Sequence, residues 1–527
     1  MKVFLYLVLS FVLLLEIHRT SSFTLTATSR SFGLGNGKRE MLSSQVFLSM
    51  LDDAATSLQS ALEAADVTKT CKVQLGPSDI NRLGLIAKQN IKKGDVMINI
   101  PYDNSYMLTP AIAKDIFAKV LPEDYNGWTG DAGLIAMLIL NELARLDDKG
   151  IALPKREAKL QTFLAKWVQS LPSMQQMSHH PLLWNENDLE VLQASSTKKI
   201  YQTLDDIDED AFWLSERVWD KDRTHFPESV TLEGKTAPCF SPSGFKWAMS
   251  LSLSRCIYVD GSLRLLPFLD MANHGDKARE FESGYMGTFG TTKGVQLVAA
   301  TDYKKGDEVF CTYGPKSAAD YLMEHGFCPD KVWKSCVSEL KFELDPDDRF
   351  YDDKLDILEF ETYDAAPMDP IQSFDVVSEA GLDGEPDPVL IQFVRLCNLG
   401  GTDAFLLESL FRNDVWGFMA LPVSEANELL VVNAIIRACQ QGLDDFAQCP
   451  GGGPDVCTKL REAESKALTR TIEYLQREKE ALDLKVYYQE RRLKDLGLES
   501  DWSPEGDMSA DLDFGQTRAP GGADYDW

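Results

Sequence analysis

The sequence predicts an α+β protein in which a β-rich domain with a helical insertion precedes an all-α C-terminal domain. Short apolar segments within residues 71–100 and 295–313 have the alternation of strands, and each group contains a Lys-Lys-Gly-Asp turn. We expect the first group to form a small β-meander. Residues 186–255, between these two groups, carry mostly helical periodicity. From residue 360 onward the apolar spacing is again helical, so we expect a second domain built from helices, the longest of them one helix over residues 456–493.

Composition and periodicity divide the 527 residues into six segments. The chain is too long for one hydrophobic core, and its apolar content of 44% is that of a globular protein. The last segment is rich in Asp, Gly and Pro, so we expect it to be a disordered acidic tail. The predicted segments are a signal peptide (1–22), a transit-like segment (23–45), an N-terminal helix (46–70), a β-rich domain (71–330), a helical domain (331–495) and the tail (496–527).

The N-terminal residues have the composition of targeting sequences. Lys2 precedes an apolar run, Val3 to Leu15, and small residues before Phe23 fit a signal-peptidase site. The apolar run is shorter than the roughly 20 residues that span a bilayer. The stretch after Phe23 is hydroxylated, basic and free of acidic residues, which resembles a bipartite plastid presequence. We therefore expect delivery to the chloroplast stroma, with secretion as the alternative.

Net charge and cysteine distribution limit the partners. The formal net charge is −29, whereas binding a phosphate backbone needs a basic face, so we expect no nucleic-acid partner. A protein with an exposed amine is compatible with this charge. The ten cysteines form no Cys-x-x-Cys pair and no dense framework, so we expect free thiols, a reducing compartment and no metal site. We also expect the mature chain to be a monomer that does not associate with membranes.

Two segments carry the most specific signal. They are Leu266-Pro-Phe-Leu-Asp-Met-Ala-Asn-His274 and the segment 311–327, which begins Cys-Thr-Tyr-Gly-Pro-Lys-Ser. In this order they resemble the two halves of the active site of SET-domain methyltransferases. The stretches 163–172 and 181–192 resemble the Trp-x-x-x-Leu-Pro and Pro-Leu-x-Trp patterns of the Rubisco large-subunit methyltransferase branch. In that branch a helical C-terminal domain binds the protein substrate.

This resemblance implies a SET-type catalytic domain that uses S-adenosylmethionine (SAM) to methylate protein nitrogen. The expected target is a lysine of an abundant stromal protein, such as the Rubisco large subunit or aldolase. Methyl transfer to an amine is an in-line displacement that mainly needs alignment, and a fixed phenol oxygen beside carbonyl groups suits this task. Tyr313 is therefore the predicted catalytic residue, and the reaction needs no metal.

The resemblance also implies a set of cofactor-binding residues. Arginine can hold the carboxylate of SAM through two hydrogen bonds, and asparagine can both donate and accept at an adenine edge. A glycine in the first strand would let backbone groups approach the cofactor closely. The predicted cofactor-binding residues are Asn81, Arg82, Leu83, Gly84, Arg255, Asn273, His274 and Tyr313.

The predicted substrate channel departs from the family pattern at His325, where a tyrosine often precedes Gly-Phe. The residue at this position varies in the branch that methylates histidine, so histidine is an alternative target. Asn81-Arg82 replaces the usual Glu-Gly and Ala318 the usual asparagine. These departures leave a further alternative, a non-catalytic adaptor that binds a partner through its helical domain. The predicted substrate-binding residues are Ser254, Arg255, Asp270, Tyr285, His325 and Phe327.

Overall fold

A computed structural model of the protein describes most of the chain between residues 55 and 497. The predicted signal peptide, the transit-like segment, residues 46–54 of the predicted N-terminal helix, Asn81 and the tail from residue 498 lie outside the described residues. Of the predicted N-terminal helix, residues 55–64 are described and are helical. The described ranges are 55–67, 71–78, 82–102, 106–152, 157–232, 234–286, 292–333, 337–359, 367–377 and 384–497.

The described strands form two three-stranded and three two-stranded sheets, all antiparallel. The three-stranded sheets have the orders β1-β2-β10 and β3-β9-β8, and the other pairs are hairpins or join β11 to β12. The strands are β1 (Val73–Pro77), β2 (Leu83–Ala87), β3 (Val96–Pro101), β4 (Ser229–Leu232), β5 (Lys235–Pro238), β6 (Ile257–Val259), β7 (Ser262–Arg264), β8 (Glu282–Met286), β9 (Thr292–Val298), β10 (Glu308–Val309), β11 (Val337–Glu343) and β12 (Ile371–Val377).

Helices fill the insertion and most of the C-terminal region, with short 3₁₀ or π turns between several of them. The predicted α+β class is therefore confirmed. The helices are α1 (Pro110–Phe117), α2 (Gly130–Arg145), α3 (Ala158–Ser170), α4 (Glu186–Glu190), α5 (Lys199–Leu214), α6 (Pro242–Arg255), α7 (Ala318–His325), α8 (Asp330–Trp333), α9 (Tyr351–Glu359), α10 (Pro388–Cys397), α11 (Val415–Phe418), α12 (Glu425–Gln448), α13 (Asp455–Glu480) and α14 (Tyr488–Asp495).

The first three strands do not form the β-meander that their order in the sequence favours. Both edges of β2 are occupied, by β1 on one side and by β10, from more than two hundred residues later, on the other. β3 pairs instead with β9, with Ile98 opposite Leu297. The meander prediction was wrong because a strand has only two edges and a distant segment takes the second edge of β2.

A buried carboxylate of the insertion fixes the start of helix α2, which precedes the insertion in the sequence. α2 is buried along most of its length. Its N-terminal turn is held by Asp210 of α5, which accepts hydrogen bonds from the backbone N–H groups of Trp128 (3.1 Å) and Thr129 (2.8 Å) and from the Tyr125 hydroxyl (3.2 Å). The bond from Thr129, the N-cap residue, satisfies a donor that a helix terminus leaves without an intrahelical partner.

The C-terminal region is helical, as predicted, but the all-α expectation omitted its two-stranded sheet. β11 and β12 pair in full register, with Leu340 opposite Phe374, and they pack against α13. The alternation of Val337–Glu343 is a strand signal that the helical composition of the surrounding sequence obscured.

The long helix predicted over residues 456–493 is interrupted. α13 ends at Glu480, and α14 begins at Tyr488 after a 3₁₀ turn. The backbone N–H of Tyr488 donates to the carbonyl of Val423 (3.1 Å), and its ring lies 5.1 Å from that of Phe418. The prediction of a single helix was wrong because tertiary contacts redirect the chain where the local charge pattern would continue it.

Helix α13 belongs to both hydrophobic cores. Cys457 and Leu460, near its start, pack in the core of the SET-like region, whereas Leu468, Ile472 and Leu475 pack in the core of the helical domain. Between these groups Glu464 is fully buried and accepts hydrogen bonds from the backbone N–H of Ser196 (3.2 and 3.4 Å to its two oxygens). Burial raises the pKa of Glu464 to about 7.

The nine cysteines within the described residues form no disulfide bond with one another, and five of them are buried. In the same part of the chain, no group of His, Cys, Asp or Glu side chains is arranged to hold a metal ion. No helix there is long and apolar enough to cross a membrane.

We predict that Glu464→Gln removes part of the pH dependence of stability. The pKa of Glu464 is about 7 in the folded protein against 4.5 for a free glutamate, so the folded state retains a proton that the unfolded state releases between these values. Wild-type stability therefore falls as pH rises through this window, by up to about 3 kcal/mol from this group. Urea unfolding at pH 5, 7 and 8 should show a flatter profile for the variant and higher stability than wild type at pH 8.

Glu462→Gln is the matched control, because Glu462 is an exposed residue of the same helix. It removes one carboxylate without touching the contact with Ser196. If Glu462→Gln flattened the profile as much as Glu464→Gln, the effect would reflect net charge and the buried carboxyl would have no special role.

Candidate active site

The two motif segments lie side by side in the structure. Residue Cys311 forms a parallel bridge with His274, in which the N–H of Cys311 donates to the carbonyl of Asn273 (3.0 Å) and the N–H of Gly275 donates to the carbonyl of Cys311 (2.9 Å). Tyr313 follows two residues later. Backbone hydrogen bonds therefore bring together the Asn-His and Tyr-Gly steps that are separate in the sequence.

Tyr313 is fixed at both ends by the neighbouring segment. Its hydroxyl donates to the carbonyl of Ala272 (3.0 Å), and its backbone N–H donates to Nδ1 of His274 (3.3 Å). Burial raises the pKa of Tyr313 further above its usual value, so the side chain is a neutral phenol. The predicted catalytic residue thus has a defined orientation and an intact hydroxyl proton.

Two cavities meet at Tyr313. The first, of about 130 Å³, is also lined by Arg82, Leu83, Asn273 and Phe327. The second, of about 510 Å³, extends to residues that include Tyr258, Glu280 and Glu324. The residues that line both cavities are Ser254, Arg255, Asp270, Tyr313 and His325.

Asp270 lines both cavities and holds neighbouring residues in position. Its carboxylate accepts hydrogen bonds from Arg255 (3.2 Å), from the indole of Trp167 (3.1 Å) and from the backbone N–H of Phe268 (2.9 Å). Complete burial raises the pKa of Asp270, while Arg255 and the other donors oppose that shift by stabilising the charged form. Because both carboxylate oxygens of Asp270 accept hydrogen bonds from within the protein, Asp270 holds Arg255 in position. The sequence predicted Asp270 as a substrate-binding residue, and that role stays a prediction.

The first cavity has an excess of positive charge. Arg82 and Arg255 both line it, and among the described residues of the lining Asp270 is the only acidic one. Burial lowers the pKa of Arg82, and the nearby charge of Arg255 lowers it further. The Arg82 side chain also donates to the carbonyl of Ser170 (3.1 Å). This arrangement suits a ligand that carries a carboxylate.

The predicted cofactor residues on β2 and in the Asn-His step divide into two groups. Leu83 and Asn273 line the first cavity, but the side-chain amide of Asn273 donates to Glu308 (2.7 Å) and to the carbonyl of Leu83 (3.2 Å). Gly84 and His274 are absent from the lining of both cavities. At Gly84 a Cβ would lie 2.3 Å from a carboxylate oxygen of Glu308, so the side chain of Glu308 occupies the space beside this glycine. Cofactor contacts by Gly84 and His274 stay predictions.

The predicted substrate residues are not all brought together. Ser254 and His325 line both cavities, whereas Phe327 lines only the first. Tyr285, on β8, is 67% exposed and is absent from both linings. The loop before β8 has no periodicity from which its register relative to the channel could be derived.

Sequence reasoning missed several residues around the two cavities. Tyr321 lies within the second motif, and its hydroxyl supports the Tyr-Gly step by donating to the carbonyl of Gly314 (2.8 Å). His179, from the segment after α3, lines the first cavity, and Glu280 lines the second. Tyr321 could have been found from its position one helical turn before His325, but neither His179 nor Glu280 belongs to a recognisable pattern.

Comparison with known families matches both predicted domains. The SET domain family matches residues 82–314, and the Rubisco LSMT substrate-binding family matches residues 345–449.

Similar proteins cover most of the chain. The chloroplastic ribulose-1,5-bisphosphate carboxylase/oxygenase large subunit N-methyltransferase of Nicotiana tabacum is 30% identical over 441 residues, 79% of this chain and 80% of that protein. The chloroplastic fructose-bisphosphate aldolase-lysine N-methyltransferase of Arabidopsis thaliana is 27% identical over 440 residues, 79% of this chain and 82% of that protein. An actin-histidine N-methyltransferase of Mus musculus is 27% identical over 203 residues, 37% of this chain and 32% of that protein.

Solved structures of Rubisco LSMT are also similar to this chain. The structure of Rubisco LSMT bound to AdoMet matches with a TM-score of 0.66 and 26% identity, covering 85% of this chain and 97% of that one. A structure of the SET domain of LSMT bound to lysine and AdoHcy matches with the same four values. The chain therefore belongs to the SET-domain protein methyltransferases of the Rubisco large-subunit methyltransferase branch, with the SET domain and the helical substrate-binding domain of that branch.

Proposed function

We propose that this protein transfers the methyl group of SAM to a lysine side chain of a plastid protein. The observation that carries this proposal is the position of Tyr313, whose hydroxyl is held by the carbonyl of Ala272 where the two cavities meet. A cofactor in the first cavity and a side chain in the second would both reach this residue. Family membership supports the same reaction.

The first cavity fits SAM by charge. Arg82 and Arg255 can hold the carboxylate of the methionine moiety, and Asp270 keeps Arg255 in place. Leu83 and Phe327 offer apolar contacts in the same cavity. When bound, SAM supplies an electrophilic methyl group on a sulfonium centre.

The residues at the junction align the reaction. The Tyr313 oxygen cannot rotate freely, because its hydroxyl bonds to Ala272 and its backbone bonds to His274, so it presents a fixed oxygen beside a carbonyl group. Preorganised oxygens of this kind favour an in-line arrangement without reorganisation during the reaction. The incoming lysine must be a neutral amine, and burial beside a cationic sulfonium lowers its pKa towards that state.

Acidic residues in the lining of the second cavity support a cationic side chain as substrate. Glu280 and Glu324 line this cavity, and Lys316 pairs with Glu324 (2.6 Å). The chain as a whole carries a net charge of −29, which favours encounter with a basic surface. The relatives in Nicotiana tabacum and Arabidopsis thaliana are named for the Rubisco large subunit and aldolase, so these proteins are the first candidate substrates.

The proposal extends to location and assembly. Both plant relatives are chloroplastic, and the composition of residues 1–39 supports a bipartite plastid presequence over a secretory leader. We propose that the mature enzyme acts in the stroma as a monomer on a protein partner.

Histidine is the second candidate target. It is favoured by the similarity to actin-histidine N-methyltransferase and by the departure at His325, but that similarity covers only 37% of the chain. The lysine assignment is favoured because the aldolase-lysine relative covers 79% of the chain, including the helical domain. The adaptor alternative is set aside because the chain belongs to an enzyme family and has a fixed Tyr313.

The test is transfer of labelled methyl from SAM into a chloroplast stromal extract by the chain from residue 40 onward. A labelled protein band, followed by mass spectrometry of its peptides, identifies the target and distinguishes lysine from histidine. Binding of SAM without any labelled protein, in extracts from several plastid sources, would contradict a stromal substrate.

We predict that Tyr313→Phe lowers the rate of methyl transfer by about 10²-fold or more, because it removes the fixed oxygen at the junction. SAM affinity should change little. The rate is measured with labelled SAM and the affinity by titration.

Tyr201→Phe is the matched control for this variant. The hydroxyl of Tyr201 also donates to a backbone carbonyl, that of Leu189 (2.7 Å), but Tyr201 lies outside both cavities. If both variants lost activity to the same extent, the loss of a tyrosine hydroxyl bonded to a backbone carbonyl would explain the effect, and the junction oxygen would have no special role.

We predict that Arg82→Gln weakens SAM binding by about tenfold, because it removes a charged partner of the carboxylate while Arg255 remains. The KM for SAM should rise and kcat should change much less. Arg437→Gln, on the exposed face of α12, is the control and should leave both constants unchanged. An unaltered KM in Arg82→Gln would place the carboxylate elsewhere.

A further inference from the structure

His325 has a hydrogen-bonding capacity that the proposed reaction has not yet used. The residue is 8% exposed, lines both cavities, and its ring lies 4.6 Å from the ring of Tyr313. One ring nitrogen, Nδ1, is 3.3 Å from the carbonyl oxygen of Ser254. The other, Nε2, is buried and has no hydrogen-bond partner among the residues that the structure describes.

The contact with Ser254 decides where the ring proton lies. A carbonyl oxygen only accepts, so in the neutral ring Nδ1 carries the hydrogen and Nε2 has a free lone pair. The opposite tautomer would set the Nδ1 lone pair against the lone pairs of the carbonyl at 3.3 Å. His325 is thus an acceptor, without a second proton to donate.

The surrounding charges keep this ring neutral. Burial, together with the charge of Lys316 and the nearby histidines His180 and His274, lowers the pKa of His325 to about 3, and the hydrogen bond to Ser254 opposes this shift only in part. The nearest carboxylate oxygen, of Glu324, is 3.8 Å from Nε2, but Glu324 is already paired with Lys316 at 2.6 Å. Nε2 therefore keeps its lone pair over the pH range of a living cell.

We propose that Nε2 of His325 accepts a hydrogen bond from the neutral amine of the target lysine and thereby limits the product to dimethyllysine. This inference rests on the proposed function. It assigns His325 as a positioning residue that also determines how many methyl groups are added.

The limit follows from counting N–H bonds. In each transfer the nitrogen lone pair forms a bond to the methyl carbon as the carbon–sulfur bond breaks. S-adenosylhomocysteine is the leaving group. After the first and second transfers the methylated ammonium releases a proton to water, whereas the quaternary ammonium formed by a third transfer has no proton to release. A neutral primary amine has two N–H bonds, a monomethyl amine one and a dimethyl amine none. The first two substrates can therefore donate to Nε2 while their lone pair faces the methyl group, but the third cannot.

The experiment follows the methylation state of the target lysine over time by mass spectrometry, with the protein labelled in the stromal extract as substrate. Wild-type enzyme should accumulate dimethyllysine, with the third transfer at least about tenfold slower than the second, since one hydrogen bond is lost. The main variant, His325→Phe, keeps an aromatic ring beside Tyr313 but has no acceptor. Its first transfer should be about tenfold slower, and its third should no longer lag behind the second.

A second variant, His325→Gln, tests for rescue. The side-chain amide can donate to Ser254 and accept from the amine, so this variant should restore the first transfer and the pause at dimethyllysine. Loss of packing alone would not be reversed by glutamine. Circular dichroism of each variant should confirm that it is folded.

Two results would overturn the inference. One is trimethyllysine as the main early product of the wild-type enzyme. The other is an unchanged ratio of second to third transfer in His325→Phe; in this case a labelled lysine would still support the proposed function. If the wild-type enzyme labels no lysine, the proposed function fails and the inference fails with it.

Discussion

The active site depends on one buried carboxylate. Asp270 joins three parts of the chain, because Trp167 comes from α3, Arg255 from the end of α6 and Phe268 from the turn that contains Asp270 itself. Phe268 adopts a φ of 91°, a conformation that costs of order 1–3 kcal/mol for a residue with a side chain. The hydrogen bond from its N–H to Asp270 helps to offset this cost. Without the carboxylate, a buried arginine and a strained turn would both lose their main partner.

The residues held by Asp270 form the candidate active site together with a second segment, which contains Cys311 and Tyr313 and lies beside them. The bridge between His274 and Cys311 sets the path of the chain, and the ring of His274 then accepts from the N–H of Tyr313. The side chain of His274 therefore helps to fix the position of Tyr313. The two motifs predict a site only when they occur together, because each supplies one side of the backbone contacts that join them.

The sequence predicts features that depend on local pattern and fails where distant segments compete. Tyr313, Arg255 and Asn273 are found from motifs, and the structure brings them to the cavities. The pairing of β3 with β9 could not be derived, since local alternation does not specify a partner strand.

Gly84 shows that a motif can predict a close contact without identifying the group that makes it. Its position implies a close approach, but the pattern does not reveal that the approaching group is Glu308. The break after Glu480 cannot be seen in the sequence either, because it arises from contacts of Tyr488 with Phe418 of α11 and with Val423 in the following loop.

The helical domain is coupled to the catalytic domain through α13. A helix whose first turns pack in one core and whose later turns pack in another cannot shift along its axis without disturbing both. Glu464 lies between the two groups of apolar residues and bonds to the start of a 3₁₀ turn in the insertion, so a polar contact also fixes its register. A protein held by the helical domain would consequently meet the second cavity at a defined distance. This constraint allows recognition to depend on a large surface while the chemistry stays within a few residues around Tyr313.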